Sequence, residues 1–304
     1  MAETFFPQVT GSISLEEFIN HVESTKTIID LKNSIYDIKK MEEMAGWLRK
    51  LAANRKLLTE KLCGELKNFW DFQLANDFKP STIMLHKGDG YTVRALIWMP
   101  PGPLYPPEIF SYYETHDHNF DFFTVGYFGP GYRTCLYEYD YESVRGVPGE
   151  EVTLKFTEET FLTPNKVMYY YGSRDVHTQY PAEEISVSIN LLLPKTQPAH
   201  RRQHEFSTPE AKGSCTVRLI AGRIDRMAQE RALFYTIAAI GDKESLNLIR
   251  DIAVSHQSEA TRALAWASLL EQSSASEHEL TLALHDSSSH VRAVAKKAYD
   301  MHKE

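Results

Sequence analysis

Cysteine is scarce in this 304-residue chain: Cys63, Cys135 and Cys215 are odd in number and widely spaced. That pattern excludes a disulfide framework and a thiolate-type zinc cluster, and it fits reduced thiols in a cytosolic protein. Long apolar runs are missing too, and none approaches the roughly 18 residues of a membrane helix. The opening stretch, MAETFFPQVTGS, lacks the basic segment and apolar core of a secretory leader. Clustered basic charge is absent: the formal net charge is -8, and basic runs are as short as His200-Arg201-Arg202. Phosphate backbones need a clustered cationic surface, so a nucleic-acid partner is not expected. These absences together lead to the expectation of a cytoplasmic protein with no membrane or nucleic-acid partner. Proline is absent between Pro7 and Pro80, as uninterrupted helices require.

What is present reads as an ordinary globular chain, with 42% apolar and 24% charged residues and length for two or three domains. Residues 1–80 form a helical region. Ser14-Leu15-Glu16-Glu17 is a capping box ahead of Phe18, Ile19 and Val22. Helical spacing then continues over Ile35–Leu51 (Ile38, Met41, Ala45, Leu48) and Leu57–Leu74 (Leu58, Leu62, Leu66, Phe69). Residues 81–197 are rich in aromatic and β-branched residues. Strands are expected at Tyr91–Met99, Phe120–Phe128, Arg133–Tyr141, Glu151–Phe156, Lys166–Gly172 and Ile185–Leu193, with Gly- and Pro-bearing turns between them. Short strands so punctuated predict an antiparallel sandwich or barrel. Residues 198–304 return to helical texture. Arg231-Ala232-Leu233, Arg262-Ala263-Leu264-Ala265 and Arg292-Ala293-Val294-Ala295 recur at spacings of 31 and 30. DSSSHVRAVAKKA (Asp286–Ala298) resembles the entry to the second helix of a HEAT-like repeat, whose helix pairs stack because one pair cannot bury its apolar face alone. The fold class expected is α+β, a barrel flanked by helices on both sides in sequence.

The chemistry concentrates in YYETHDHNFDFF, Tyr112–Phe123. In a strand, residues two apart share a face, so His116 and His118 aim at one point. Neutral imidazole suits first-row transition metals. His177 follows about 60 residues later, at an expected turn between two strands, where a barrel can close the site.

The stretch Thr82–Pro194, about a third of the chain, resembles a cupin, and more narrowly the cysteine-dioxygenase-like thiol dioxygenases. The likeness rests on VRALIWMPPGPLYPPEIFSYYETHDH (Val93–His118) with its His-Asp-His core. It rests also on His177 ahead of Ser186-Val187-Ser188-Ile189-Asn190-Leu191-Leu192. The resemblance implies a double-stranded β-helix barrel with Fe(II) on His116, His118 and His177; Mn, Ni, Cu and Zn also suit imidazole. It implies dioxygen and a small polar, thiol- or amino-acid-like molecule as substrates. The chain departs from the pattern where a cupin has glutamate four or five residues after the second histidine, since Phe122 and Phe123 stand there. Asp121 falls one place early, and alternation turns it away from His118. A three-histidine set leaves coordination positions open, as catalytic metals do. The tyrosine that follows the last ligand in cysteine dioxygenases is not evident in INLLLPK, and no arginine matches the one that holds the substrate carboxylate.

Among the many tyrosines of this region, Tyr169 and Tyr171 share a strand face and are candidates to contact substrate. Arg174 joins them as a candidate anion clamp, as do Arg94 and Arg133, since guanidinium grips carboxylate bidentately. Cys135 reads as a buried, inert thiol, and Asp117 as pointing outward between the ligands. The expected activity is non-haem Fe(II)-dependent oxygenation or dioxygenation of a small polar substrate. Two alternatives stay open: a non-catalytic ligand-binding cupin whose C-terminal helices form a protein-docking arm, and a metal-dependent isomerase or hydrolase.

Overall fold

A computed structural model describes residues 2–67, 81–102, 110–195, 201–210, 213–220, 227–271 and 276–301. Strand β1 (Glu3–Phe5) precedes helices α1 (Leu15–Ser24), α2 (Thr27–Lys32), α3 (Ile38–Ala53) and α4 (Leu57–Lys67). Nine strands follow: β2 (Thr82–Gly88), β3 (Tyr91–Trp98), β4 (Thr115–His116), β5 (Phe120–Phe128), β6 (Arg133–Glu138), β7 (Glu151–Phe161), β8 (Val167–Tyr170), β9 (Asp175–Gln179) and β10 (Ser186–Pro194). Strands β11 (Glu205–Phe206) and β12 (Cys215–Ile220) then lead to helices α5 (Met227–Ile240), α6 (Lys243–Ser255), α7 (Glu259–Glu271), α8 (Glu277–Leu284) and α9 (Ser289–Met301). The chain is α+β. One six-stranded sheet has the order β1-β8-β5-β10-β3-β2, and a second set, β11-β12-β7-β6-β9-β4, closes into a barrel.

Alternation divides the first sheet into two chemical faces. Val93, Ala95, Phe123, Val125, Val167, Tyr169, Ile189 and Leu191 point to one side, where Phe18, Leu31, Met41, Met44, Leu48 and Leu51 of the N-terminal helices cover them. Trp98, Phe122, Met168, Tyr170 and Leu192 point to the other, packed with Tyr112, Tyr132 and Leu136. The capping box forms as its residues dictate: Glu17 N donates to the Ser14 hydroxyl at 3.1 Å, and Ser14 N donates to the Glu17 carboxylate at 2.7 Å.

The chain divides into two compact units, cut differently from its three textures. One comprises Met1–Tyr139, Thr153–Gln197 and Thr208–Thr216, so the N-terminal helices share it with most of the strands. The other comprises Asp140–Val152, Pro198–Ser207 and Val217–Glu304. The region expected to be helical from residue 198 contains strands β11 and β12 before its helices begin. Val217 and Leu219 alternate inward there, a two-residue period that the later helical pattern masks. The predicted helix Leu57–Leu74 is described to Lys67, and its remaining residues, Phe69 included, lie outside the described set.

The 30-residue spacing in the helices has a physical counterpart. Arg262 Nη1 donates to the carbonyls of His256 and Gln257 at 2.8 and 3.3 Å. Arg292 Nη1 donates to those of Asp286 and Ser287 at 2.6 and 2.9 Å. The Ser258 and Ser288 hydroxyls accept from Thr261 N and Val291 N. The repeats at Arg262 and Arg292 thus start their helices with the same serine cap and arginine clamp. Among the described residues no helix is long and apolar enough to cross a membrane.

Candidate metal centre

Strand β4 is only two residues long, and its pairing with β9 sets His116 directly opposite His177. On the other side of β9, Leu136 of β6 lies opposite His177. His177 therefore stands within a strand rather than at the turn its sequence position suggested; the turn is Tyr171–Arg174, just before it. His118 follows β4 in the short crossing to β5. Cross-strand alignment does what sequence spacing alone cannot. One ring nitrogen from each of His116, His118 and His177 lies within 4.8 Å of the other two. His116 Nε2 and His177 Nε2 are 3.1 Å apart, and the ring centroids are 4.5 to 5.0 Å from one another.

Proton placement follows from the partners. A carbonyl oxygen only accepts, so the 3.0 Å contact of His116 Nδ1 with Glu114 O fixes the proton on Nδ1. The lone pair of His116 Nε2 then faces His177. His177 is fully buried, and its pKa lies well below the usual imidazole range: burial disfavours the cation first, and the neighbouring His116 and Arg94 disfavour it further. No described group hydrogen-bonds its Nδ1. Neutral rings with converging lone pairs are what a divalent ion takes as ligands. Two nitrogens each about 2.1 Å from an ion, at right angles, stand about 3 Å apart, which is the spacing found here. The donor set fits one first-row metal ion.

The walls are aromatic. His118 stacks on Phe120 at 4.6 Å and meets Phe122 edge-on at 5.0 Å. Phe122 stacks on Tyr170 at 4.6 Å, and Tyr170 approaches His177 at 5.1 Å. Of the two phenylalanines at the expected glutamate positions, Phe122 faces the histidines, while Phe123 packs on Tyr169 in the helix-covered core. Register across the sheet places Arg94, Asn190, Thr124 and Met168 in one row beside the row Leu192, Phe122, Tyr170. Thr124 donates to Asn190 Oδ1 at 2.8 Å, and Trp98 Nε1 donates to Ser188 Oγ at 3.1 Å. Tyr132 lies tilted against Trp98, ring centroids 4.1 Å apart. Arg94 thus brings a positive charge to the histidine-bearing face. Burial lowers its pKa to about 10, with Tyr132 opposing, and at neutral pH it stays charged. Burial also raises the Tyr132 and Tyr170 phenols, which keeps them protonated donors.

Tyr169, Tyr171 and Arg174 are not brought to the histidines. Tyr169 is buried on the helix-covered face and donates to Asp121. Tyr171 lies against Tyr36 at 4.7 Å and donates to Glu3 at 3.4 Å. Arg174 lies over the Tyr171 ring and pairs with Asp175 at 3.0 Å and Glu138 at 3.8 Å. The face-sharing of Tyr169 and Tyr171 was legible, but which face they share depends on Tyr170 standing opposite Phe122, a pairing no local pattern reveals. Asp117, expected to point outward, is buried and accepts from Tyr139 OH at 2.6 Å. Cys135 is buried on the strand face opposite to Leu136 and donates to Glu159 at 3.4 Å; burial pushes its thiol up. Arg133 pairs with that same Glu159 at 3.1 Å.

No family model matches the chain, and no curated protein matches it. The solved structures that resemble it weakly include the following three. DMSP lyase DddQ from Ruegeria pomeroyi DSS-3 is 12% identical, with a TM-score of 0.26 over 43% of this chain and 54% of that one. A putative mannose-6-phosphate isomerase from Ralstonia eutropha JMP134 is 13% identical, with a TM-score of 0.22 over 38% of this chain and 85% of that one. E. coli ycfD is 11% identical, with a TM-score of 0.21 over 63% of this chain and 42% of that one. The chain spans about half the length of the lyase it matches. Likeness this slight bears on neither activity nor substrate.

Proposed function

We propose that this chain is a cupin-type metalloenzyme in which His116, His118 and His177 hold one Fe(II), and that it oxygenates a small anionic substrate. The observation that carries the reading is the convergence of three ring nitrogens within 4.8 Å, with His177 buried and neutral. Glu114 O holds the His116 ring in the tautomer that offers Nε2. Phe122 stands where a carboxylate ligand would otherwise add negative charge. A bound Fe(II) would supply open coordination positions and redox chemistry toward dioxygen and substrate. Arg94 holds the negative group of the substrate, and the protonated Tyr132 and Tyr170 donate hydrogen bonds to it. Trp98, Tyr112, Phe122 and Leu136 exclude water. Metal analysis of untagged protein and of His177→Ala tests the site: iron in the wild type and its loss in a folded variant are expected. Equal iron in both overturns the ligand assignment. Oxygen uptake by the iron protein with small thiols and amino acids tests the reaction, and its absence with iron bound removes the oxygenase reading while leaving the metal site.

A further inference from the structure

Asp121 stands three residues after His118 on β5, with its side chain on the sheet face away from the histidines, where it is fully buried. Four donors converge on it. Oδ1 accepts from Gly172 N at 2.7 Å; Oδ2 accepts from Lys195 Nζ at 2.5 Å, from Tyr36 OH at 3.2 Å and from Tyr169 OH. The Gly172 bond belongs to a close backbone approach. A Cβ at Gly172 would stand 2.7 to 2.8 Å from the Phe120 backbone, so no larger residue fits without a shift. One residue on, Ser173 N donates to His118 O at 2.6 Å. The turn is closed on itself by Tyr171 N to Asp175 Oδ2 at 2.8 Å and Asp175 N to Tyr171 O at 3.1 Å. It then runs directly into β9 and His177.

We infer that Asp121 is a positioning residue that holds the His118 segment in register with the turn leading to His177. The inference rests on the three-histidine reading above and adds to it a positioning role for the Asp121 carboxylate. Absent from the metal side of the strand, the carboxylate clasps the two ligand-bearing segments from behind. Lys195, just after β10, balances its charge, and Tyr36, from the connection between α2 and α3, completes its hydrogen bonds. The N-terminal helical region thereby contributes to the precision of the site. Removing the carboxylate frees Gly172 N and takes away the counter-charge of Lys195, and the register of His118 against His177 loosens. Supporting contacts of this kind change metal affinity by about 10- to 100-fold.

The test compares wild type, Asp121→Ala and the double variant Asp121→Asn with Lys195→Met. The double variant removes both charges but retains a carbonyl acceptor for Gly172 N. In metal-free protein, amide hydrogen exchange at Gly172 and Ser173 is expected to rise about tenfold in Asp121→Ala, with no change in the central β3–β10 pair. Co(II) affinity is expected to fall about tenfold with altered visible bands, and the double variant is expected to restore both readouts. Unchanged exchange, or wild-type Co(II) affinity in folded Asp121→Ala, overturns the inference. If Asp121→Ala does not fold, the double variant decides: fast exchange and weak Co(II) binding in that folded protein overturn it. A wild type that binds no Co(II) refutes the three-histidine reading instead, and the exchange arm alone then decides whether Asp121 sets the register.

Discussion

Arg94 shows how one side chain can set the chemistry of a face. Its row-mates Asn190, Thr124 and Met168 are uncharged, so its guanidinium is the one charge of that row. On the proposed reading, a divalent ion on the three histidines would add positive charge, and an anionic substrate would gain most there. Arg94→Met keeps the length and removes the charge. Charge-assisted hydrogen bonds are worth about 1.5–3 kcal/mol, so the affinity of metal-loaded protein for small carboxylates is expected to fall by about 10- to 100-fold. Titration calorimetry reads this directly. Equal carboxylate affinity in the two proteins would remove Arg94 from the site. That Arg94 was a candidate clamp was legible in its chemistry. Its place in the row beside Phe122 and Tyr170 was not, because that depends on strand pairing.

At the scale of elements, the second unit carries a lock between non-contiguous segments. His290, in the first turn of α9, donates from Nδ1 to Arg145 O at 2.5 Å and accepts at Nε2 from Arg202 Nη1 at 2.6 Å. Arg202 also donates to Gly146 O at 3.2 Å, and His204 stacks on Tyr141 at 5.0 Å. Arg201 lies over the Tyr141 ring and pairs with Glu142, while Arg145 pairs with Glu150. Burial first, and Arg202 second, hold both His204 and His290 down to about 3. The unfolded chain titrates these rings near 6.5 and so binds more protons than the fold between those two values. Stability is full above about pH 6.5 and falls as the pH drops towards 3, by up to about 1.4 kcal/mol per pH unit for each histidine. Helical unfolding followed by circular dichroism should therefore shift to lower temperature from pH 7 to pH 5. His290→Asn should flatten that dependence by about half. A variant as pH-sensitive as the wild type would contradict the assignment. The repeated serine caps and arginine clamps at α7 and α9 belong to the same scale. They explain why the repeat was visible as Arg-Ala-Leu-Ala and Arg-Ala-Val-Ala before any helix was placed.

For the whole molecule, the three histidines, Arg94, Phe122, Tyr132 and Tyr170 all belong to the first compact unit, and none comes from residues 227–301. A chain ending at Ile220 is therefore expected to bind Co(II) as the full chain does. A chain ending at Gln197 loses Thr208, which donates to Tyr113 O at 2.9 Å, and Ser214, which accepts from Phe156 N at 3.1 Å. It is expected to melt at a lower temperature. Loss of Co(II) binding by the folded Ile220 chain would show that the C-terminal helices complete the site.

Composition and periodicity alone determined the helices around Phe18 and Met41, most of the long strands, the α+β class and the identity of the three histidines. These are local consequences of burial: a 3.6-residue or two-residue period records which side of an element meets the core. The same alternation turned Asp121 away from His118. The tertiary structure alone decided what each face then meets. His177 lies opposite His116 because β4 pairs with β9; Tyr170 rather than Tyr169 reaches the site because it stands opposite Phe122; and Asp121 clasps Gly172 because the chain returns there 51 residues later. Such contacts depend on strand register, which is fixed by the sum of packing over whole sheets, and no short segment carries that information.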